Sequence, residues 1–377
     1  MTSAKDTTRQ RLITLALIAA GIALRFLVSA RGHNYDFDSY MIVINILERG
    51  GNVYAETTRY NYGPIWFSLL SVFYNLANGN QDIFRFFLVL FLSLVDVGIF
   101  LVLRGRYGNL AGILFFLNPI SILITGYHNQ FDNLALLTAL CATLLFGSDF
   151  DAPLDRRKYA GLVLLGISIT TKHLFFLFPI WLLIKQKGRL NKILIGLIPT
   201  AVFLVSFIPF SEPGWEGIVK NVFQYQSYEN GFFHGFLIPP ILQLFLSSRA
   251  VWIATLTFFG FYFRKADGVE TFLNYTCLLV AASPAITNQY LAIPASYTAV
   301  NPNPFSILYM IFGTMHLILD IDGLHMFAPP GFSAVFRQGF YFILIALLWA
   351  SFIWRTWEAQ IRLAGRKIAD EIRQQLA

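Results

Sequence analysis

The stretch LITLALIAAGIALRFLVSA, Leu12 to Ala30, leads directly into His33-Asn34-Tyr35-Asp36-Phe37-Asp38-Ser39-Tyr40. The first part offers about 19 apolar residues, enough to cross a bilayer as one helix. The second part sets two carboxylates two residues apart just past its end. Together they define an integral membrane chain with polar chemistry at a membrane boundary. A basic front (Lys5, Arg9, Arg11) and the Val28-Ser29-Ala30 ending also have the form of a cleavable signal peptide. Arg25 inside the run favours a retained helix, because a signal core is a purely apolar run.

The rest of the chain agrees. Of 377 residues, 56% are hydrophobic and only 13% charged, whereas soluble chains are roughly a quarter charged. Apolar runs recur from Leu12 to Trp357 with no polar domain between them. One all-α polytopic membrane domain is therefore expected over 1–357, with a basic amphipathic tail over 358–377. The net charge of +7 resides in short clusters between apolar runs. That is the pattern of cytoplasmic loops and not of a nucleic-acid surface. Cys141 and Cys277 lie inside apolar runs, as buried thiols do, and no zinc-ligand spacing is present.

Basic clusters at Arg104–Arg106, Arg156–Lys158 and Arg264-Lys265 set the expected topology. It has about 12 transmembrane helices with both termini in the cytoplasm. The membrane would be the plasma membrane of a bacterium or the endoplasmic reticulum of a eukaryote. Residues 31–82 form a first outer loop with short interfacial helices. One is expected from Ser39 to Arg49, closed by Gly50-Gly51. Another runs from Ile65 to Leu76 and is too short to span. Residues 210–235 form a second outer loop. Tyr159 to Lys185 has basic flanks at both ends, so it reads as two short helices turning at Lys172-His173. That turn needs a protein-lined cavity within the membrane. The register gathers Asp36, Arg59–Pro64, His128–Asp132, Lys172-His173 and Gln289-Tyr290 at one face.

Those groups have a chemical reading. Residues i and i+2 face one way in an extended segment and nearly opposite ways on a helix. Asp36 and Asp38 can therefore share a site only ahead of the helix, with Asp38 also suited to cap it. Glycosyl transfer needs a general base for the acceptor hydroxyl. A carboxylate near a low-dielectric boundary has a raised pKa and makes a better one. The leaving phosphate needs cations or hydrogen-bond donors; Lys172, His173 and Arg59 are the candidates. His128-Asn129-Gln130-Phe131-Asp132-Asn133 reads as a sugar-binding rim, or as a helix start capped by Asp132 or Asn133. Arg25 either snorkels or faces a buried anion. No P-loop or nucleotide-type glycine loop is present, so a lipid-linked donor fits better than a nucleotide sugar.

These motifs resemble the GT-C superfamily, the polytopic glycosyltransferases that use polyprenyl-phosphate sugars. Asp36-Phe37-Asp38-Ser39-Tyr40, Gly51-Asn52-Val53-Tyr54, Thr58-Arg59-Tyr60-Asn61-Tyr62-Gly63-Pro64 and Gln289-Tyr290 are most similar to the GPI mannosyltransferase catalytic subunits. The Gly–Tyr spacing is shortened here. His128-Asn129-Gln130-Phe131-Asp132 looks more like the dolichyl-phosphate-glucose transferases and their bacterial relatives. The resemblance implies a GT-C-like bundle that transfers a hexose, mannose above all, from a polyprenyl or dolichyl phosphate to a lipid-linked or glycan acceptor. Transfer would occur with inversion on the outer or lumenal face. Asp36 or Asp38 would be the base. Tyr60, Tyr62, His128, Gln130, Asp132, Gln289 and Tyr290 would line the sugar and acceptor sites. A divalent metal is optional, since two carboxylates alone make a loose site. The resemblance also allows a small membrane partner subunit. Two other classes compete: a lipid-sugar flippase, which needs polar residues continuing to the inner side, and a non-catalytic assembly subunit.

Overall fold

The computed structural model describes residues 4–147, 152–225, 248–326, 337, 339–358 and 360. Among them the regular structure is helical throughout, with no strand. The helices are α1 Ala4–Ser29, α2 Tyr35–Glu48, α3 Val53–Glu56, α4 Pro64–Leu76, α5 Gln81–Tyr107, α6 Asn109–Phe116, α7 Pro119–Gly126, α8 Asp132–Phe146 and α9 Arg156–Thr171. There follow α10 Phe178–Lys185, α11 Arg189–Val205, α12 Ser211–Ile218, α13 Arg249–Tyr262, α14 Gly268–Ala281, α15 Ala295–Val300 and α16 Pro304–Leu319. The last is α17, Gly339–Glu358.

Among the described residues, four stretches are long and apolar enough to cross a membrane: Thr8–Ser29, Gln81–Tyr107, Arg189–Phe223 and Gly339–Glu358. A fifth arises if α6 and α7, bent by 45° at their junction, count as one span. The break has a local cause. Pro119 supplies no N–H to continue the ladder, and Asn118 caps the new helix by accepting from the Ile120 N–H at 3.0 Å. Several shorter apolar helices complete the bundle, among them Asp132–Phe146, Gly268–Ala281 and Pro304–Leu319. Among the described residues, the expected crossings, about 12, do not appear as twelve full-length helices. Only 17% of the α1 span is buried, and Leu12, Leu15 and Leu27 stay exposed. An exposed helix this apolar has lipid, not water, as its natural surroundings. The chain is an integral membrane protein.

One expectation shifts in detail and another is met. α2 starts at Tyr35, not Ser39, because Asn34 and not Asp38 is its cap. The Tyr159–Lys185 stretch does break at Lys172, into α9, a single 3-10 turn His173–Phe175, and α10. Residues 226–235 of the second outer loop, the Pro239-Pro240 segment and the tail beyond 360 lie outside the described residues.

α5 sets the axis, at 27 residues or roughly 40 Å. Near its start, Arg85 donates to Asn129 Oδ1 and to the Gly32 carbonyl. Near its end, Arg106 meets Asp267 at 3.0 Å. The Asp267 end also holds Lys185, which donates to the carbonyls of Phe263, Arg264 and Ala266. Basic loops thus mark one end of the bundle and the Asn129 segment the other.

Between the two ends lies a fully buried ion pair. Arg25 on α1 meets Asp96 on α5 at 2.8 Å, both at 0% exposure. Every partner such a pair needs is present. Arg25 also donates to the carbonyls of Gly21 and Phe116 and to Ser121. Asp96 accepts from Thr125 at 2.7 Å and from Asn133 at 2.6 Å. Of the two sequence readings of Arg25, the buried anion is the one observed.

Candidate active site

The site is built where α2, α4, α8 and α9 converge. Asn34 begins it: its side-chain Oδ1 accepts from the Asp36 N–H at 3.1 Å, satisfying one of the open donors of the α2 terminus. Asp36 and Asp38 therefore both sit in the first helical turn. Two residues on a helix lie about 200° apart, and the side chains separate accordingly. Asp36 is half-buried and accepts from the Asn34 amide at 2.9 Å. Asp38 is 61% exposed and has only His33 nearby, at 3.9 Å. The pair does not form a shared two-carboxylate cradle. Among the described residues no three His, Cys, Asp or Glu side chains are grouped to hold a metal, so these residues do not fit the optional metal.

Lys172 closes the opposite wall. It is the residue after α9, in extended conformation, which turns its side chain back toward the start of α8. Its Nζ donates to Asp132 Oδ2 at 2.7 Å and to Gln130 Oε1 at 3.4 Å. The rings of Tyr62 and Phe131 face the ammonium at 5.1 and 5.0 Å, a favourable cation–π setting. Ser168 on α9 donates to the Ala135 carbonyl on α8 at 2.6 Å, fixing the two helices against each other.

The Thr58–Pro64 stretch supplies the third wall. Gly63 passes so close to α9 that a Cβ there would lie 2.0 Å from the Thr170 carbonyl oxygen. Only glycine allows that approach. Tyr60 is fully buried; its hydroxyl donates to the Gly63 carbonyl at 2.7 Å and accepts from the Phe67 N–H. It holds the loop and offers no free polar atom to a substrate. Tyr62 does reach the site through its ring. Arg59 lies over the Tyr35 ring at 3.6 Å and donates to Ser39. It forms no ion pair among the described residues.

His128 and Gln130 come from the α7–α8 connection, where Asn129 takes the left-handed conformation at φ 53°, one that Asn tolerates better than most residues. His128 Nδ1 lies 2.7 Å from the Asn34 amide nitrogen. Gln130 approaches Asp36, but its amide nitrogen forms no well-shaped hydrogen bond. His128 Nε2, Asp132 Oδ1 and His173 Nδ1 are likewise buried with no partner. Native interiors pair such atoms, and each exception calls for an explanation such as a ligand. Burial pushes the Asp36 carboxyl above its usual range, opposed by the Asn34 hydrogen bond and the Lys172 charge. Burial also holds the His128 imidazole down at about 3, so it is neutral.

Three further expected residues lie in adjoining turns. His173 follows Lys172, with its ring 6.4 Å from that of Tyr225. Gln289 and Tyr290 lie in the 3-10 turn Asn288–Ala292, packed on α7 and α8. No hydrogen bond joins Gln289 to Asp36, Asp132 or Lys172. Its neighbour Asn288 is the anchored residue, accepting from His316 and Tyr341 and donating to Asp320. Asp320 is paired with Arg337 at 2.7 Å. Sequence reading assigned no role to Asn34, Arg85, Asp96, Asn288 or His316. Asp96 and His316 did leave a signal, as solitary polar residues inside apolar helices.

No protein-family model matches the chain, and no curated sequence does either. Two solved structures are similar in fold. ArnT from Cupriavidus metallidurans in the apo state gives a TM-score of 0.51 at 12% identity, covering 91% of this chain and 76% of that one. The same protein bound to undecaprenyl phosphate gives 0.50 at 12% identity, covering 90% and 75%. The likeness extends over almost the whole chain and shows that it shares the overall fold of ArnT.

Proposed function

We propose that the chain is a membrane glycosyltransferase that takes its sugar from a polyprenyl-phosphate donor, with Asp36 as general base. The observation that carries this reading is the Asp36 environment: a half-buried carboxylate at a helix start, held by Asn34, beside unpartnered polar atoms of His128, Gln130 and Asp132. ArnT, of the same fold class, has been seen with undecaprenyl phosphate bound, which supports a lipid-phosphate donor here. The first-loop motifs favour a hexose, mannose first, and a lipid-linked or glycan acceptor.

In this reading Asp36 accepts the proton of the acceptor hydroxyl. The hydroxyl oxygen attacks the anomeric carbon from the face opposite the phosphate, and the bond to the phosphate oxygen breaks. Polyprenyl phosphate departs with the electron pair, and the sugar inverts. A base with a raised pKa is better matched to a hydroxyl proton than an ordinary carboxylate. Arg59, which has no acidic partner among the described residues, would meet the phosphate; Lys172 acts from within its pair with Asp132. The unpartnered Asp132 Oδ1 accepts a sugar hydroxyl.

The test is a panel of synthetic polyprenyl phosphates carrying mannose, glucose or another hexose, given to purified full-length protein. Release of polyprenyl phosphate from one member, lost in Asp36→Ala, supports the proposal. Movement of intact donor across liposomes with no release would replace it with the flippase reading.

A further inference from the structure

Asn34 makes three contacts at once, and their geometry leaves one solution for its orientation. Asn and Gln oxygen and nitrogen are assigned from the surrounding network. Here the network contains a donor that cannot rotate, the backbone N–H of Asp36, which donates to Asn34 Oδ1 at 3.1 Å. The opposite side of the amide is therefore the NH2 group. It faces Asp36 Oδ2 at 2.9 Å and His128 Nδ1 at 2.7 Å. An NH2 group has two hydrogens and no lone pair to accept with, so both neighbours must be acceptors. His128 Nδ1 then carries no proton, and the proton of the neutral ring is on Nε2. That Nε2–H is buried, in a residue only 1% exposed, and has no partner.

We infer that Asn34 is a positioning residue that couples the two sides of the site: one amide orients the Asp36 carboxylate and also fixes His128 as a neutral donor through Nε2, held ready for an oxygen of the substrate. The oxygen is either a sugar hydroxyl or a phosphate oxygen, both of which accept from a neutral N–H. The assignment of the donor to substrate rests on the glycosyltransferase reading; the tautomer does not. The titratable groups facing His128 are Asp320, His316 and, through Asn34, Asp36. Asp320 favours a charged ring, but it is already engaged by Arg337 and Asn288. Burial outweighs it, and the ring stays neutral.

The arrangement separates the roles of the two groups. A charged imidazolium would meet the Asn34 NH2 donor to donor. His128 therefore cannot serve as the acid or base without breaking the Asn34 contact, which leaves proton removal to Asp36. Replacement of Asn34 by Asp keeps the helix cap, since Asp caps as well as Asn, and removes the NH2. A carboxylate at position 34 would accept from Nδ1–H, so the ring should change tautomer or take up a proton.

The experiment uses full-length protein in nanodiscs with 15N-labelled histidine. Its six histidines allow the His128 signals to be identified by their loss in His128→Gln. Wild-type protein should show a neutral ring protonated on Nε2 throughout pH 5–8. Asn34→Asp should move the proton to Nδ1 or produce imidazolium in that range, and transfer should drop at least tenfold in kcat with KM nearly unchanged. Inorganic phosphate and free methyl mannoside are the two probes of the Nε2–H; a shift with one identifies the oxygen it takes. A wild-type ring protonated on Nδ1, or a tautomer unchanged by Asn34→Asp, overturns the inference. A protein that shows the expected tautomer but no sugar transfer overturns the glycosyltransferase reading and leaves the tautomer standing.

Discussion

Lys172 Nζ lies 2.7 Å from Asp132 Oδ2, with both side chains almost fully buried. The residue that ends α9 is thereby tied to the residue that begins α8, inside a frame of two aromatic rings. A lysine in an apolar hairpin needs such a counter-ion, and the pairing explains how the α9–α10 turn can sit within the bundle. Removing one partner of a buried pair leaves an uncompensated charge, at a cost of about 3–5 kcal/mol. Lys172→Met and Asp132→Asn should each lower the unfolding temperature of the purified protein, while the double variant loses less than their sum. Additive losses would mean that the two charges are not coupled.

The Arg25–Asp96 pair is expected to behave similarly, and to reach the site at a distance. Asp96 accepts from Asn133, the neighbour of Asp132 in sequence. Asp96→Asn leaves Arg25 without its counter-charge, so it should cost about 3–5 kcal/mol. Arg25→Met combined with Asp96→Leu replaces the pair by apolar groups and should recover most of that loss, as read by thermal unfolding in detergent. A double variant as unstable as Asp96→Asn would contradict the pair as the source of the cost.

Asp36 should show the opposite sign. Its folded pKa is raised, chiefly by burial. Such a group contributes stability below its unfolded pKa and loses it as the pH rises through the folded value. Asp36→Asn should therefore be at least as stable as wild type at neutral pH, although inactive. The transfer rate of wild-type protein should fall on the acid side with a midpoint above the ordinary carboxylate value of 3.8. A pH–rate profile with its acid limb at or below that value would count against Asp36 as the base.

Gly63 offers a steric test. A methyl group there would lie 2.0 Å from the Thr170 carbonyl oxygen, and backbone on both sides cannot yield cheaply. Gly63→Ala should push the Arg59–Pro64 loop away from α9, costing about 1–3 kcal/mol for overpacking and most of the transfer activity. An alanine variant with wild-type activity would show that this loop does not shape the site.

Much of this site was legible in the sequence because intramembrane polar residues are costly and thus informative. Asp36, Tyr62, His128, Gln130, Asp132 and Lys172, chosen from separate stretches, do meet. The break at Lys172 was visible too, since two basic flanks cannot both lie inside on a single crossing. What sequence could not decide was helix phase. Whether Asn34 or Asp38 caps α2 changes which carboxylate faces inward, and both residue types are good caps. The resemblance of the Thr58–Pro64 stretch places Tyr60 at the site; the fold shows its hydroxyl closing its own loop. Asp96 was passed over because a single acid scarcely alters the apolar character of α5, and its partner Arg25 lies 71 residues away. The superfamily resemblance agrees with the fold, which is shared with ArnT, while the likeness to the GPI mannosyltransferase subunits has no counterpart in the comparisons. The donor sugar belongs to the proposal, because the expected sugar-binding residues come largely from loops, the parts of a fold that vary most.

The central claim is that Asp36, and not Asp38, removes the acceptor proton. It is tested most directly by comparing Asp36→Asn and Asp38→Asn in one assay of polyprenyl-phosphate release at saturating donor. Loss of a general base typically costs 10²–10⁴-fold. The account predicts a loss on that order for Asp36→Asn with donor binding retained, and a rate within about threefold of wild type for the exposed Asp38→Asn. Equal losses in both variants, or the larger loss in Asp38→Asn, would contradict it.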